Sequence, residues 1–377
     1  MASRTTTVIA LRAASVTVAL TALAVGAQGA VGAGWSVQHV PSTPRGTLVG
    51  VSCTSPKACI AVGSYSGRAS RALTERWTGS RWVIEPARLP AGAVDGGFND
   101  VSCTSGRRCT AVGAYDLRDG RTDTLAERWT GSRWSVQRTQ NQPGVVGSLL
   151  NSVSCTSPSA CTAVGEYGLP HNGPPFALIE RWNGSRWSLQ PTLDGGGFRG
   201  FLTGVSCPAS KLCTAVGGDT RGHMRIERWH GAGWTRQRTP MGSAFLSSVS
   251  CVSANACTAV GTGGAGAAAA PLAEGWNGVR WSSENARVDG DDFTSVSCTS
   301  ARACTVVGDA GGGSQTLAAG WNGSRWSVQP TPATPGTQTN YTLFDVSCVL
   351  PSVCVAVGGI NKAANGRAAG ALIERRS

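Results

Sequence analysis

Val51-Ser52-Cys53-Thr54-Ser55-Pro56-Lys57-Ala58-Cys59-Ile60-Ala61-Val62-Gly63 decides the fold, because the chain repeats it. Six more copies carry Cys103/Cys109, Cys155/Cys161, Cys207/Cys213, Cys251/Cys257, Cys298/Cys304 and Cys348/Cys354. Each keeps Val-Ser-Cys, five residues, a second Cys, and a closing Val-Gly. The seven pairs use all 14 cysteines, and their first members lie 50, 52, 52, 44, 47 and 50 residues apart. A period of that size is the mark of a repeat architecture.

The composition fits repeated β structure. Of 377 residues, 41% are hydrophobic, only 14% are charged, and 51 are Gly. That profile suits a turn-rich all-β chain and excludes a disordered one. The net charge is +12, carried almost wholly by Arg, the only lysines being Lys57, Lys211 and Lys362. The Ala, Gly and Arg richness resembles the codon bias of a high-GC bacterium. The basic residues are scattered, so no run points to nucleic acid or to a membrane surface.

Residues 1–33 read as a signal peptide. Arg4 and Arg12 precede the apolar stretch Ala13 to Ala27, and small residues continue through Ala33. The stretch is short for a span, which needs about 20 residues, and no later segment is a candidate. The expected localisation is therefore secreted, extracellular or cell-envelope, with no membrane span after cleavage. In such a compartment, evenly paired cysteines predict seven disulfides. Zinc sites place ligands closer together and add His, whereas His39, His171, His223 and His230 are out of register with the cysteines. No metal or cofactor is expected.

Each unit reads as four strands. Strand A ends in Val-Ser-Cys and strand B starts at the second Cys. The disulfide then reads as a staple on the A–B hairpin near its turn, contributing on the order of 2 kcal/mol by closing a short loop. Strand C is of the type Leu125-Ala126-Glu127-Arg128-Trp129 and strand D of the type Arg133-Trp134-Ser135-Val136-Gln137. The C–D turn is Thr-Gly-Ser or Asn-Gly-Ser in most units, a hairpin signal. Tryptophans flank it as Trp77/Trp82, Trp129/Trp134, Trp182/Trp187, Trp229/Trp234, Trp276/Trp281 and Trp321/Trp326. Both rings of a pair fall on one face, where they form a packing layer between neighbouring sheets.

The two ends of the repeat array are complementary. The seventh unit stops at Leu372-Ile373-Glu374-Arg375-Arg376, a strand C without its D. Residues 34–44 open with Trp35-Ser36-Val37-Gln38, a strand D without its C. Pairing the two would remove the open edges of a ring. The expected fold is all-β: a seven-bladed β-propeller of four-stranded antiparallel blades over 34–377, closed by the N-terminal strand. The pattern Val-Ser-Cys-x-Ser-x-x-x-Cys-x-Ala-Val-Gly … Glu-Arg-Trp-x-Gly-x-x-Trp resembles a secreted bacterial propeller repeat family. There is a fainter resemblance to kelch and Asp-box propellers. The likeness implies the fold and assigns no activity.

In that geometry the A–B and C–D loops share one end of the ring and are uniform. The B–C and D–A loops share the other end and vary. Binding residues gather on loops held by a rigid scaffold. The ligand-binding candidates on that face are Tyr65, Tyr115, Asp116, Glu166, Tyr167, His171, Asp194, Asp219 and Asp291. No catalytic residue is assigned. Glycoside hydrolysis wants two carboxylates about 5 to 10 Å apart, and no pair is singled out. The expected function is a non-catalytic binding module for a carbohydrate, an anionic envelope polymer or a protein, acting as a monomer. The alternative is a glycoside hydrolase or sialidase-like enzyme with carboxylates at the channel mouth.

Overall fold

The computed structural model describes residues 34–41, 46–67, 69–170, 173–193, 199–239, 243–264, 270–284, 286, 288–332, 339–362 and 368–377. They form 28 strands and no α-helix. No described helix is long and apolar enough to cross a membrane.

The first strand, β1 (Trp35–Val37), is followed by a four-stranded array, β2 (Gly46–Ser55), β3 (Ala58–Ser66), β4 (Ser70–Trp77) and β5 (Trp82–Ile84). The second array comprises β6 (Ala93–Ser105), β7 (Arg108–Leu117), β8 (Thr122–Trp129) and β9 (Trp134–Gln137). The third comprises β10 (Gly147–Ser157), β11 (Ala160–Gly168), β12 (Phe176–Trp182) and β13 (Trp187–Leu189). The fourth holds β14 (Gly200–Ala209), β15 (Leu212–Asp219), β16 (Met224–Trp229) and β17 (Trp234–Arg236). The fifth holds β18 (Ala244–Ser253), β19 (Ala256–Gly263), β20 (Ala270–Trp276) and β21 (Trp281–Ser283). The sixth holds β22 (Asp292–Ser300), β23 (Ala303–Ala310), β24 (Gln315–Trp321) and β25 (Trp326–Val328). Last come β26 (Thr339–Leu350), β27 (Val353–Lys362) and β28 (Ala368–Arg376).

Hydrogen bonding groups the strands into six sheets, five of four strands and one of eight. The eight-stranded sheet is the second and third arrays, joined where Gly147 of β10 pairs in parallel with Thr122 of β8. Within every array the pairing is antiparallel and sequential. The seventh array has the order β1-β28-β27-β26. Trp35 stands opposite Arg376 and Val37 opposite Glu374.

Four sequence features acquire physical reasons. The Ser of Val-Ser-Cys links neighbouring inner strands. Its hydroxyl accepts a hydrogen bond from the Cys amide of the next array, as in Cys103 N to Ser52 Oγ, 3.0 Å, and Cys155 N to Ser102 Oγ, 2.9 Å. The series continues through Ser154, Ser206, Ser250 and Ser297. It returns to its start with Cys53 N on Ser347 Oγ, 3.0 Å.

The paired cysteines form seven disulfides, each between residues six apart, and none is free. The pairing is as expected, and each bridge staples the A–B hairpin just before its turn, as Cys53 opposite Cys59 does ahead of Pro56-Lys57; burial adds a second role. Cys59, Cys109, Cys161, Cys213, Cys257, Cys304 and Cys354 are buried core residues, 1 to 5% exposed, and only their partners on strand A are half-buried. The reason is the place of strand B. It is paired on both sides, by A and by C, and its Cys side chain faces the neighbouring array. Cys109 packs with Ile60 and Val62 of the first array, and Cys161 with Val112 and Ala126 of the second. Cys213 packs with Val164 of the third, Cys257 with Val216 of the fourth, and Cys354 with Val307 of the sixth. A half-cystine has no S–H, so a Thr hydroxyl of the preceding array donates to the sulfur. Thr110 meets Cys161 Sγ at 3.7 Å, Thr162 meets Cys213 at 3.6 Å, Thr214 meets Cys257 at 3.8 Å and Thr305 meets Cys354 at 3.7 Å. For Cys109 the matching residue is Ile60, which packs but cannot donate. The disulfides therefore contribute apolar contact between arrays as well as loop closure.

The Gly of Ala-Val-Gly marks a close approach. Strand A bulges opposite it, between Leu48 and Gly50 in the first array and at matching positions elsewhere. A methyl group on Gly63, Gly113, Gly165, Gly217, Gly261, Gly308 or Gly358 would meet a strand-A carbonyl oxygen at well under 3.0 Å. Gly165→Ala is accordingly expected to cost about 2 kcal/mol by overpacking. Gly370→Ala on β28, where nothing lies within 4 Å, should change stability little. Urea unfolding of the two variants checks this, and equal midpoints would refute it. In the C–D turn it is Gly that takes positive φ, 95° at Gly79 and 98° at Gly184. The Asn before it accepts later amides instead, as Asn183 Oδ1 does from Ser185 N and Arg186 N.

The fourth feature is Glu-Arg-Trp. The paired tryptophans sit opposite one another, with ring centroids 5.4 to 5.9 Å apart. Arg76 pairs with Glu85, but in three arrays the Arg reaches the next one: Arg181 lies over Trp229, Arg228 over Trp276 and Arg375 over Trp77, at 4.7, 4.5 and 5.1 Å. The same guanidinium groups donate to the A–B turn carbonyls of Ser210, Ala254 and Pro56. Arg376 stands where other arrays have Trp. It donates to Pro351 O, as Trp276 Nε1 donates to Ala254 O in its own array.

Candidate functional site

Most of the strongly perturbed titratable groups lie on strands, although burial also pushes Glu284 of the β21–β22 connection up to about 7. Glu75, Glu127, Glu180, Glu227, Glu274 and Glu374 occupy one position on the C strands of six arrays, the sixth array having Ala319 there, and all six are buried. Burial pushes Glu75, Glu127, Glu180 and Glu374 up to about 7. Three of these carboxyls tie their array to the preceding one or to the connection that leaves it. Glu127 accepts the Arg88 amide. Glu180 accepts the Gln140 amide and the Thr124 hydroxyl, and Glu374 accepts the Thr316 hydroxyl. Glu227 pairs with buried Arg225, Nε to Oε1 2.7 Å. Glu75 differs, because neither of its oxygens has a partner among the described residues. Aligned with the other units, the seventh array offers Pro41 where the donating amide should be and Ala371 where the hydroxyl should be. Pro has no N–H and Ala no O–H.

A second set of carboxyls, absent from the sequence candidates, lies on the inner strands. Asp100 and Asp345 immediately precede Val-Ser-Cys, where the other units have Gly or Ser. Burial first, and then the charge of Asp345, push Asp100 up to about 7, and burial raises Asp345 to about 6. Asp100 accepts Ser152 Oγ and Val153 N, both at 2.8 Å. Asp345 accepts Ser295 Oγ at 2.6 Å and Val51 N at 2.7 Å. Both therefore join neighbouring arrays. The alternation of Asp with Gly and Ser at one repeat position was the available signal for them.

The sequence candidates sit on strands more than on loops. β3, β7 and β11 run on to Ser66, Leu117 and Gly168, because strand A of each array begins early enough to pair them. Tyr65 pairs with Gly46 and packs against the core. Tyr115, also packed on the core, points its hydroxyl at Asp123 Oδ2, 3.5 Å away. Asp116 accepts Thr122 Oγ1 at 2.7 Å. Glu166 is half-buried, which raises its pKa. Tyr167 stacks on Phe176 at 5.3 Å. Asp219 and Asp291 hold turns. Asp219 accepts the Arg221 and His223 amides, and Asp291 Oδ2 accepts the Gly312 amide. For Asp219 these bonds outweigh burial and hold its pKa below the usual carboxylate range. His171 and Asp194 lie outside the described residues, as do residues 1–33.

A groove of about 1120 Å³ runs along the seam between the second and third arrays. It runs from Tyr115 and Asp123 past the β9–β10 connection to Ser185 and Arg186 in a C–D turn. The seams between the fifth and sixth and the sixth and seventh arrays hold smaller cavities of about 290 and 210 Å³. In those two seams Gly275 and Gly320 stand in place of the covering Arg.

No family model matches the chain, and no curated protein matches it. Solved structures do. YCF48 bound to a D1 peptide is similar over 91% of this chain and 97% of that one, at 15% identity and a TM-score of 0.57. The GH74 xyloglucanase from Xanthomonas campestris matches with a TM-score of 0.57 at 12% identity. That match covers 89% of this chain and 55% of the enzyme. A chain of a mitotic checkpoint complex matches over 99% of both chains, at 11% identity and a TM-score of 0.55. At such identities the likeness shows the fold alone: a β-propeller built from repeated four-stranded blades, each with its Cys pair.

Proposed function

We propose that the chain is a secreted, closed seven-bladed propeller acting as a non-catalytic binding module, with its site at the end formed by the B–C and D–A connections. The observation that carries the site is a contrast in connection length. Every A–B connection is two residues and every described C–D connection is four. At the other end the B–C connections run from three residues between β3 and β4 to seven between β11 and β12. Closure is supported by the return of the serine circuit to Ser347 and by the β1–β28 ladder. Secretion is supported by the signal-like residues 1–33 and by seven disulfides. The charge of +12 favours an anionic envelope polymer or acidic glycan as ligand.

Calorimetric titration of the mature chain with a panel of anionic and neutral polysaccharides tests the reading. Tyr167→Ala and Glu166→Gln should weaken binding; Glu166→Gln should do so without lowering the melting temperature, whereas Tyr167→Ala also loses the stack on Phe176 and is compared below its own melting temperature. Turnover of a polysaccharide would defeat the non-catalytic reading. The hydrolase alternative finds its support in Asp309, which pairs with Asp292 at the B–C and D–A end and is raised to about 7 by burial and by Asp292 and Asp291. Loss of turnover in Asp309→Asn, with binding retained, would establish it.

A further inference from the structure

We propose that the groove between the second and third arrays is a binding site for an acidic oligosaccharide, with Trp182 as its stacking platform and Arg138 and Arg186 as its carboxylate anchors. The inference rests on the binding-module reading and gives it a ligand class and a place.

Trp182 departs from the pattern. Trp77, Trp129, Trp229 and Trp276, at the same repeat position, are 1 to 9% exposed, whereas Trp182 and Trp321 are half-buried. Of these two, Trp321 lines only the cavity of about 210 Å³, and Trp182 lines the large groove. Arg181, Arg228 and Arg375 cover the ring of the following array. Arg128, the matching residue of the second array, lies over no ring among the described residues. It lines a separate crevice beside Pro158. The Trp182 indole is held to its own array by Nε1 donating to Pro158 O, 3.3 Å. Its partner Trp187 is buried behind it, with ring centroids 5.9 Å apart. The result is a fixed aromatic face open to a cavity of about 1120 Å³.

The polar lining says what the face would meet. Arg138 and Arg186 are exposed and make no ion pair among the described residues. The lining's one carboxylate, Asp123, is half-buried against the Tyr115 hydroxyl. The groove is therefore positive at its rim. Gln137, Gln140 and Asn141 use their carbonyl oxygens inward, accepting from Trp187 Nε1, Leu189 N and Thr124 N. That leaves their amide N–H groups as donors along the groove. An uncovered indole, planar amide donors and two guanidinium groups suit a sugar ring that carries a carboxylate. The ring's C–H face lies on the indole, its hydroxyls accept from the amides, and its carboxylate meets Arg bidentately. A sugar chain also suits the groove's length, which extends from the B–C end to the C–D turn.

The test is calorimetric titration of the mature chain with oligogalacturonate, its methyl ester, polyglutamate and oligo-dT. Oligogalacturonate should bind, and both the neutral ester and Arg186→Gln should bind about tenfold more weakly or worse. Trp182→Ala should lose comparable affinity. Because that change removes packing, Trp182→Arg is the second variant. Arginine is already accommodated at this repeat position by Arg376, which keeps the bond to the A–B turn carbonyl. Trp321→Ala in another seam should leave affinity unchanged. Equal affinity for the methyl ester, tighter binding of polyglutamate or oligo-dT, or full affinity in both Trp182 variants would overturn the proposal. If those variants bind fully while Tyr167→Ala and Glu166→Gln do not, the groove is wrong and the binding-module reading stands. If nothing in this panel or the wider polysaccharide panel binds, both fall.

Discussion

A chain that starts at Ser42 instead of Gly34 is expected to melt about 10 °C lower, or to lose cooperative unfolding altogether. The truncation removes β1, whose three residues pair with the outer edge of β28. It takes away Trp35, which is 7% exposed in the core of the last array and donates its indole N–H to Gln329 Oε1 at 3.0 Å. It also takes the Gln38 amide bond to Ile373 O, 2.8 Å, and the packing of Val40 on the first array. Loss of a buried Trp alone costs about 3 to 5 kcal/mol. The exposed edge of β28 then becomes a template for association with other chains. Trp35→Ala should give an intermediate loss, and a peptide of residues 34–41 added in excess should restore part of the stability. Equal melting temperatures for the two chains would remove the support for ring closure.

The seam between the seventh and first arrays should also be sensitive to pH through Glu75. Its carboxyl is 0% exposed, both oxygens lack partners among the described residues, and burial alone raises its pKa to about 7. An unfolded Glu titrates near 4.5. Below that value the group is protonated in both states and adds no pH-dependent cost. As pH rises from about 4.5 to 7 the unfolded chain releases its proton more readily, so stability falls, and above 7 the loss is complete. A shift of this size corresponds to about 3 kcal/mol. Glu75→Gln should therefore match the parent chain at pH 4 and exceed it by about 3 kcal/mol at pH 8, measured by urea unfolding. Glu127, Glu180 and Glu374 titrate in both proteins and cancel in the difference. Ala371→Thr should reduce the effect by supplying the hydroxyl that Thr124 supplies to Glu180. A difference between parent and Glu75→Gln that does not vary with pH would mean that Glu75 is solvated by water or otherwise paired.

The candidate site was less legible than the fold. Tyr65, Tyr115 and Glu166 read as loop residues because their local sequence lacks a strand pattern, yet strand A extends far enough to pair them. Asp219 and Asp291 read as exposed candidates, but each caps a turn. Cys109, Cys161, Cys213, Cys257 and Cys354 read as hairpin staples, and their burial against the preceding array was not visible in a spacing of six. Glu-Arg-Trp was visible as a structural repeat. Its purpose was not, because the Arg covers a Trp about 48 residues further along the chain, as Arg181 and Trp229 do.

By itself the amino-acid sequence determined the period, the four strands per unit, the within-unit cysteine pairs and the complementarity of Trp35-Ser36-Val37 with Leu372-Ile373-Glu374. These rest on local chemistry: alternation, turn glycines, and cysteines six apart on one hairpin. Only the tertiary structure decided which seams are filled and which are open. The coverage of Trp182, the donors missing at Glu75 and the pairing of Asp100 with Ser152 each depend on a residue in a neighbouring array. Residues so distant along the chain meet only once the arrays have packed side by side, so no local pattern records them.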